Sequence, residues 1–283
     1  MTEIADAVRA VPGVPRLLSR RRALIMVAQI TIAALLVLAW WLASDRLVSS
    51  SWISDPVSVA ERLVDWLGES AIYGHVWSTL KHAAMGLALG AAGGVMLGVL
   101  FGQWRLGGRV VEPFVSAVYS IPQIAVFPLF VLWFGIDSRP KIAVVASMVF
   151  FPLYFSAMAG SRAADPDLVA AVKVMGASRV QVLRYAVLPA LGAYVAAGVA
   201  IAVPLALLAS LLGDMLVGSE GLGFVIVSAS NAFDMTGVLA GAVLMMFLGL
   251  IAVQLITGRT LGHLRRLRPG RPAAAGARLT SAS

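Results

Sequence analysis

The sequence lacks cysteine altogether and has few charged residues. Of its 283 residues, 13% are Asp, Glu, Lys or Arg and 60% are hydrophobic, whereas soluble proteins average about 25% charged residues. The absence of cysteine excludes disulfide bonds, thiolate metal ligands and thiol catalysis. The shortage of charge excludes an ordinary soluble enzyme.

The charged residues are also unevenly distributed along the chain. Each charge-free run is 20 residues or longer, which is about the length that an apolar helix needs to cross a bilayer. The chain therefore predicts an all-α, polytopic membrane helix bundle with six transmembrane helices. The six runs without Asp, Glu, Lys or Arg are residues 23–44, 82–104, 113–136, 142–161, 185–213 and 235–258.

The net charge of +8 would suit a nucleic-acid-binding protein, but the positions of the cations indicate a membrane. If the N-terminus is cytoplasmic and each run crosses once, the cytoplasmic segments contain 17 Lys and Arg residues and the outer segments contain 5. This asymmetry follows the positive-inside rule of membrane proteins. We therefore expect both termini in the cytoplasm, contact with membrane lipid and no nucleic-acid partner.

The two ends of the chain have distinct compositions. Residues 1–22 predict a cytoplasmic segment, and residues 23–74 predict a first transmembrane helix with its outer loop. A cleaved signal peptide is the alternative, but the first apolar run is longer than the usual core of about 7–15 residues, so we expect a retained helix. Residues 267–283 are rich in Ala, Gly, Pro, Ser and Thr and predict a disordered cytoplasmic tail.

Motifs for catalysis and cofactor binding are missing. The sequence contains no GxxxxGK[ST] phosphate-binding loop, no HExxH zinc motif and no GxSxG nucleophile motif. Its histidines, His75, His82 and His263, are too scattered to suggest a metal cluster. The charge-free runs contain no carboxylate and no lysine, which argues against an intramembrane proton relay. We expect no catalytic residue, no metal and no cofactor in this chain.

The second run is rich in glycine. Gly94, Gly98 and Gly102 form two consecutive GxxxG spacings, and small residues four apart allow two helix backbones to approach closely in lipid. This pattern predicts a tightly packed centre of the bundle. Generic helix packing is an equally good interpretation, because the pattern is common in membrane proteins.

The third run contains two prolines, Pro122 and Pro128, with Gln123 beside the first. Each proline removes a backbone donor and disturbs the turn before it. Within hydrocarbon the freed carbonyls need other partners, so broken helices occur mainly inside protein or beside a cavity. The two prolines therefore predict a segment that lines a pathway, with plain kinks as the alternative.

The segment that starts at residue 165 predicts a first short amphipathic helix. Asp165 is suited to the N-cap and Pro166 to the first helical position. Leu168, Val172 and Met175 share one helical face. Gly176 predicts the end of this helix, with a positive φ angle.

A second short helix is predicted to follow. Ser178 and Gln181 have the spacing of a capping box, and Val180, Leu183 and Val187 form an apolar stripe. Pro189 is expected to end the helix and open the fifth span. Two short helices joined by a glycine turn could dock on a partner protein or lie on lipid headgroups.

This segment resembles the EAA loop of ABC importer permeases. The resemblance rests on Gly176-Ala177-Ser178 and on Leu188-Pro189 after the second helix. It covers about residues 76–266 and is similar in particular to the nitrate/sulfonate/taurine branch. The other matching pieces, in the same order as in that branch, are Ser120-Ile121-Pro122, Ala125, Pro128-Leu129, Trp133-Phe134-Gly135-Ile136, Phe151-Pro152 and Gly221-Leu222-Gly223.

Two positions depart from the pattern of the family. Ala170 stands where the EAA motif has its glutamate, so a carboxylate contact from that position is missing. Asp214-Met215-Leu216 replaces Glu-Met-Leu, which keeps the charge on a shorter side chain. We expect Asp214 either to orient an outer gate beside Gly221-Leu222-Gly223 or to be a solvated loop acid.

The resemblance implies a type I ABC importer permease fold with a core at residues 75–266 and coupling helices at residues 165–187. It also implies a bacterial plasma (inner) membrane location and a pathway formed with a second, usually identical, permease copy. Cytoplasmic ABC ATPase subunits would bind ATP, and a periplasmic or lipid-anchored solute-binding protein would deliver a small solute such as nitrate, a sulfonate, taurine or a small heterocycle.

The resemblance and the residue patterns together name candidate residues for two roles. The candidates for coupling to the ATPase are Ala170, Ala171, Met175, Gly176, Ala177, Ser178, Val180, Leu183 and Pro189. The candidates for the pathway or its gate are Pro122, Gln123, Pro128, Asp214, Gly221 and Gly223. Two other functions stay open at this point, an ion-coupled secondary transporter and a membrane-embedded hydrolase.

Overall fold

The computed structural model of the chain describes residues 14–44 and 54–267. These residues form helices joined by short connections, which confirms the all-α prediction. In chain order the helices are α1 Val14–Ala43, α2 Pro56–Gly68, α3 Ser70–Gln103, α4 Arg105–Tyr119, α5 Phe127–Phe134, α6 Ser138–Arg162, α7 Pro166–Val174, α8 Arg179–Val182, α9 Leu188–Leu216, α10 Leu222–Asn231 and α11 Met235–Leu267.

Five stretches of these helices are long and apolar enough to cross a membrane. They are Leu24–Ala43, Ser70–Gln103, Ser138–Arg162, Arg179–Leu216 and Met235–Ile256. The remaining predicted span is a broken pair of helices, Leu106–Tyr119 and Gln123–Phe134, with a bend of 77° between them. The second of the pair consists of a short 3-10 turn, Gln123–Val126, followed by α5. The prediction of six spans is met when this bent pair is counted as one.

The predicted segment boundaries do not coincide with the ends of the helices. Helix α1 begins at Val14, within the segment predicted as residues 1–22, and α3 begins at Ser70, before the predicted core. The described part ends at Leu267, so residues 1–13 and 268–283 of the two predicted cytoplasmic ends lie outside it.

The chain divides into two compact units. The first contains α1, α2 and residues 229–240. Within it, the Trp40 indole N–H donates to the Ser54 carbonyl over 2.9 Å, and the Ser54 and Thr236 hydroxyls are 2.7 Å apart. The second unit contains residues 69–228 and 241 onward, and it includes the predicted coupling and pathway residues.

The centre of the second unit is the packing of α3 against α6, with α9 beside them. The glycine prediction of close packing is confirmed, because five buried glycines four positions apart face α6. A Cβ atom built on Gly90 would lie 2.5 Å from the Ala146 carbonyl oxygen, and one on Gly94 would lie 2.5 Å from that of Phe150. The two backbones are therefore in direct contact. The five glycines are Gly86, Gly90, Gly94, Gly98 and Gly102.

The break between α4 and α5 lies at the first of the two prolines. Pro122 is exposed at the break, and the Gln123 side-chain amide donates to the Ile121 carbonyl over 3.2 Å and to the Val118 carbonyl over 3.4 Å. The carbonyls that the broken helix leaves free thus find a partner. Pro128 does not kink a helix. It lies in the first turn of α5, where its missing N–H has no helical partner to lose.

The prediction that Pro189 ends the second short helix is wrong. The chain continues from α8 into α9 through a π-helical turn, Leu183–Val187, and forms one apolar stretch of 38 residues, Arg179–Leu216. A proline inside a helix lacks a donor and its ring clashes with the carbonyl four residues before it. The wider π turn directly before Pro189 gives that ring room, so the helix continues instead of ending.

Candidate functional site

The end of α7 forms a rigid exposed turn. Asp165 caps the start of this helix by accepting from the Asp167 N–H over 2.9 Å. At the other end Gly176 has φ +82°, and its N–H donates to the Lys173 carbonyl over 3.0 Å. The Ala177 N–H donates to the Val172 carbonyl over 3.2 Å. This pair of bonds is a Schellman motif, which satisfies the last carbonyls of the helix.

Helix α8 starts immediately after this turn. The Ser178 hydroxyl accepts from the Gln181 N–H over 3.4 Å, and the Gln181 side chain accepts from the Ser178 N–H over 2.7 Å. The capping box is therefore present as predicted. We call residues 165–182 the α7–α8 element.

The α7–α8 element presents apolar side chains that no described residue of the chain covers. Val174, Met175 and Val180 are 89%, 85% and 72% exposed. Sequence analysis missed Val174, because it lies off the face that Leu168 and Met175 share. The other candidate coupling residues divide into exposed Ala170, Ala171, Gly176, Ser178 and Pro189 and partly buried Ala177 and Leu183.

The predicted apolar stripe of the second helix is not continuous on the surface. Val180 is exposed, Leu183 is partly buried, and Val187 is buried within the bundle. The reason is the continuation of α8 into α9, which directs the later part of the stripe into the bundle. The free apolar surface is therefore centred on the turn.

A polar cavity of about 450 Å³ lies beside α7, and Ala170 is part of its lining. Arg162 and Lys173 also line it, and Gln103 donates its side-chain amide to the Ser161 hydroxyl over 2.8 Å. The Arg162 guanidinium lies 3.3 Å from the Glu112 carboxylate. Ala170, at the position of the EAA glutamate, thus lines a cavity that is also lined by two cationic side chains.

A second candidate site is buried around Asp214, near the end of α9. The carboxylate is 1% exposed. Its Oδ2 accepts from the Thr79 hydroxyl over 2.6 Å, and its Oδ1 lies 2.9 Å from the Lys141 ammonium. His82 Nδ1 is 3.5 Å from the same Oδ1, too far for a strong hydrogen bond. The interpretation of Asp214 as a solvated loop acid is therefore wrong, because the side chain is excluded from water.

Thr79 joins this carboxylate to the start of α10. Its hydroxyl oxygen accepts from the Leu222 N–H over 2.8 Å, and its carbonyl accepts from the Ser210 hydroxyl over 2.8 Å. We call Thr79, His82, Lys141, Ser210 and Asp214 the buried polar site.

The glycines of the Gly221-Leu222-Gly223 motif are required by close contacts. Gly221 has φ +103°, and a Cβ atom there would collide with the Asp214 carboxylate. A Cβ atom on Gly223 would collide with the Leu211 carbonyl. The structure thus brings Asp214, Gly221 and Gly223 together, as the gate prediction requires.

Most of the buried polar site was missed from the sequence. Lys141 is one of the five outer cations of the charge count, and Thr79 and His82 are not among the predicted site residues. The apolar runs themselves lack a carboxylate and a lysine, but the helices extend past those runs. Helix α9 continues through Asp214, and α6 begins three residues before Lys141. The spacing of Thr79 and His82 on one helical face was the available signal.

The other predicted pathway residues lie elsewhere in the second unit. Gln123 lines an open cavity of about 480 Å³, whose lining includes neither Pro122 nor Pro128 nor any residue of the buried polar site. Gln123 and Ser147 are its polar side chains, and its aromatic lining consists of Phe130, Trp133, Phe150 and Phe151. Of the six pathway candidates, Asp214, Gly221 and Gly223 therefore lie together, Gln123 lines a separate cavity, and Pro122 and Pro128 line neither.

Comparisons with known proteins agree on one family. The family described as "Binding-protein-dependent transport system inner membrane component" matches residues 90–258. The putative aliphatic sulfonates transport permease protein SsuC of Bacillus subtilis is 27% identical over 87% of each chain. The formylaminopyrimidine transport permease protein ThiX of Halalkalibacterium halodurans is 31% identical over 78% of this chain and 88% of the relative. The taurine transport system permease protein TauC of Escherichia coli is 27% identical over 75% and 78%.

The fold is similar to that of a solved transporter. A chain of the MetNI methionine ABC transporter, in inward-facing conformations, superposes with a TM-score of 0.59 at 21% identity, covering 69% of this chain and 95% of the other. This likeness confirms the ABC importer permease fold. Because the family match covers more than half of the sequence, the chain belongs to the family of binding-protein-dependent transport system inner membrane components.

Proposed function

We propose that the α7–α8 element is the surface through which a separate ATPase drives this permease. The chain is a membrane-spanning translocation subunit of an ABC importer for a small solute, as its family establishes. That membership replaces the two alternatives, the ion-coupled carrier and the membrane-embedded hydrolase. The α7–α8 element would be the route by which the energy of ATP hydrolysis reaches the subunit.

The observation that carries the proposal is the exposure of Val174, Met175 and Val180 on a turn whose backbone groups are bonded. Exposed apolar patches rimmed by polar residues are typical of interaction surfaces. The Schellman motif and the capping box hold this patch in a defined shape. A rigid protrusion can transmit a displacement to the helix that continues from it, here α9.

Contact with lipid headgroups is the competing role for the same surface. Lys173, Arg179 and Arg184 would suit anionic lipid. A lipid-resting helix buries a continuous apolar face along its length, however, whereas the most exposed apolar side chains here lie at the turn, and Leu168 near the start of α7 is only 45% exposed. This concentration favours insertion into a groove of a protein.

In this proposal the chain itself holds no cofactor and makes or breaks no covalent bond. ATP is bound and hydrolysed by the partner subunit, whose movement reaches α9 through the α7–α8 element. The permease then alternates between two conformations of similar free energy, which its ligands bias.

The assembly would contain two copies of this chain, two ATPase subunits and a periplasmic or lipid-tethered binding protein. It would lie in the bacterial inner membrane with both termini in the cytoplasm, which the 17 to 5 division of cations supports. The transported solute would be a small organic compound like those named for its relatives, sulfonates, taurine or formylaminopyrimidine. The cavity at Gln123 has no charged lining that would select an anion, so selection is assigned to the binding protein.

The test is the pair of variants Val180→Asp and Val180→Leu. The aspartate places a charge in the apolar patch, whereas the leucine keeps it apolar, so only the first should release the ATPase. Tagged permease is purified from its native membrane, and the co-purifying subunit is identified by mass spectrometry from its phosphate-binding-loop peptides and quantified.

The expected result is loss of most of the ATPase from Val180→Asp and retention in Val180→Leu, with equal amounts of permease. Equal retention in both variants would mean that the surface rests on lipid, and the coupling role would be rejected.

A further inference from the structure

The end of the connection between α9 and α10 is anchored at three consecutive residues. The Glu220 carbonyl lies 3.4 Å from the Lys141 ammonium, the Gly221 N–H donates to His75 Nδ1 over 3.1 Å, and the Leu222 N–H donates to Thr79. Connections between helices are usually the more mobile parts of a protein. Here three consecutive backbone groups are held by side chains of α3 and α6.

The bond to Leu222 has a particular structural role. The first N–H groups of a helix have no partner within that helix, and a nearby serine, threonine, aspartate or asparagine of the same segment usually caps them. Helix α10 is capped by Thr79, which is 143 positions earlier in the chain. The start of α10 is therefore attached to α3 instead of to its own loop.

The direction of each hydrogen bond in this site follows from the chemistry of its members. An ionised carboxylate can only accept hydrogen bonds, whereas a hydroxyl has one proton to donate. The Thr79 hydroxyl must then donate to Asp214, which leaves its oxygen to accept from the Leu222 N–H. The Lys141 ammonium lies 2.9 Å from the other oxygen of the same carboxylate.

We propose that Thr79 is a positioning residue that locks the start of α10 to α3 and α9, so that this short helix moves only together with the bundle. The proposed topology places the site at the outer end, and in this respect the inference rests on the proposed function. In transport, α10 would act as a gate element that follows the helices and does not open independently.

The test uses Thr79→Val and Thr79→Ser. Valine has nearly the shape of threonine but no hydroxyl, so the Leu222 N–H and the Asp214 Oδ2 both lose their partner. Serine keeps the hydroxyl and is the matched control. Because the chain has no cysteine, a single Ile226→Cys on α10, at a buried position, reports opening of this helix through its rate of maleimide labelling.

We expect Thr79→Val to label at least about tenfold faster than the parent, because a buried group that loses its hydrogen-bond partner favours the open state. Solute uptake should fall while ATP hydrolysis and retention of the ATPase continue. Thr79→Ser should match the parent in all four measurements. Retention of the ATPase distinguishes this failure from that of Val180→Asp.

Equal labelling and uptake in the two Thr79 variants would overturn the proposal. Failure of Thr79→Val to assemble, where Thr79→Ser assembles, would also overturn it, because the hydroxyl would then be needed for folding. Hydrogen exchange on the unsubstituted complex gives an independent measurement. The Gly221 and Leu222 amides, whose N–H groups are bonded to His75 and Thr79, should exchange as slowly as those in the buried part of α9, and exchange at the rate of an open loop would reject the lock.

Discussion

The α7–α8 element and the buried polar site are both built from helix ends and hydrogen bonds, yet they differ in where the partners come from. The bonds that cap α7 and α8 join residues no more than five positions apart. By contrast, the hydrogen bonds of Thr79, within the buried polar site, and of His75, beside it, join residues 131 to 146 positions apart. The first region is assembled by its own segment, and the second exists only when three helices are packed.

The two regions also differ in how much stability is lost when one of their interactions is removed. An exposed cap contributes about 1 kcal/mol, and its loss is limited to one turn. In a buried pair of a carboxylate and an ammonium, each charge is compensated by the other. Removing one of them leaves the other buried without water or a partner. We therefore expect substitutions of the paired charges, Lys141 and Asp214, to affect the whole bundle and substitutions in the α7–α8 element to affect only the contact with the ATPase.

Neutralising Lys141 should have the largest effect. Lys141→Met leaves the Asp214 carboxylate buried without its cation, at a cost of about 3–5 kcal/mol. The variant should accumulate poorly in the membrane or melt well below the parent in detergent. Lys141→Met combined with Asp214→Asn removes both charges and keeps an oxygen that can accept from Thr79, so it should recover most of the stability. A single variant as stable as the parent would contradict the ion pair.

Replacing Gly176 should have an intermediate and local effect. Its φ of +82° is strained for a β-branched residue, whereas a Cβ atom there would touch nothing within 4 Å. Gly176→Val should therefore cost only the strain of the backbone, about 1–3 kcal/mol. The melting temperature of the bundle should hardly change, while binding of the ATPase falls. Gly176→Asn is the control, because asparagine tolerates positive φ. Equal loss of binding in both variants would show that the turn conformation is not what matters.

Asp234, a partly exposed carboxylate in the first unit, should show the smallest effect. It accepts from the Gly237 N–H over 2.9 Å and from the Arg62 guanidinium over 2.6 Å. Burial alone would raise the pKa of Asp234, but these hydrogen bonds and the charge of Arg62 outweigh it and hold the pKa below the ordinary value of 3.8. The folded state therefore favours the charged form.

The sign of the pH dependence follows from that lowered pKa. The charged form contributes stability above the ordinary pKa of 3.8, and this contribution is lost as the pH falls through the lower pKa of the folded state. Asp234→Asn should cost at most about 1 kcal/mol near neutral pH, since the pair is partly exposed. Thermal melting should show a difference from the parent near pH 7 that shrinks towards pH 3, and a difference independent of pH would contradict the ion pair.

The α7–α8 element could be predicted almost completely from the sequence. Asp165, Gly176 and the capping box of Ser178 and Gln181 have the predicted roles, because each depends on residues within one or two turns. The errors begin where packing takes part. Pro189 does not end the helix, since a π turn accommodates it, and Val187 is buried because the helix then continues into the bundle.

The buried polar site could be predicted only in part. Asp214 and the two glycines of Gly221-Leu222-Gly223 were singled out from the sequence, but Lys141 and Thr79 were not. Counting charges between apolar runs assigns Lys141 to solvent, whereas the helix that carries it starts earlier than the run. A long-range ion pair has no periodicity that a sequence pattern could reveal.

The sequence by itself determined the membrane-spanning, all-α character of this protein and the exposed turn at Gly176. Both follow from consecutive residues, the first from the length of apolar runs and the second from caps and a glycine. The tertiary structure alone decided that Asp214 is buried and neutralised by Lys141, and that Thr79 caps α10. The reason is physical: these side chains meet because glycines on α3 let its backbone touch α6, and only that approach removes water from the charges and makes each depend on the other.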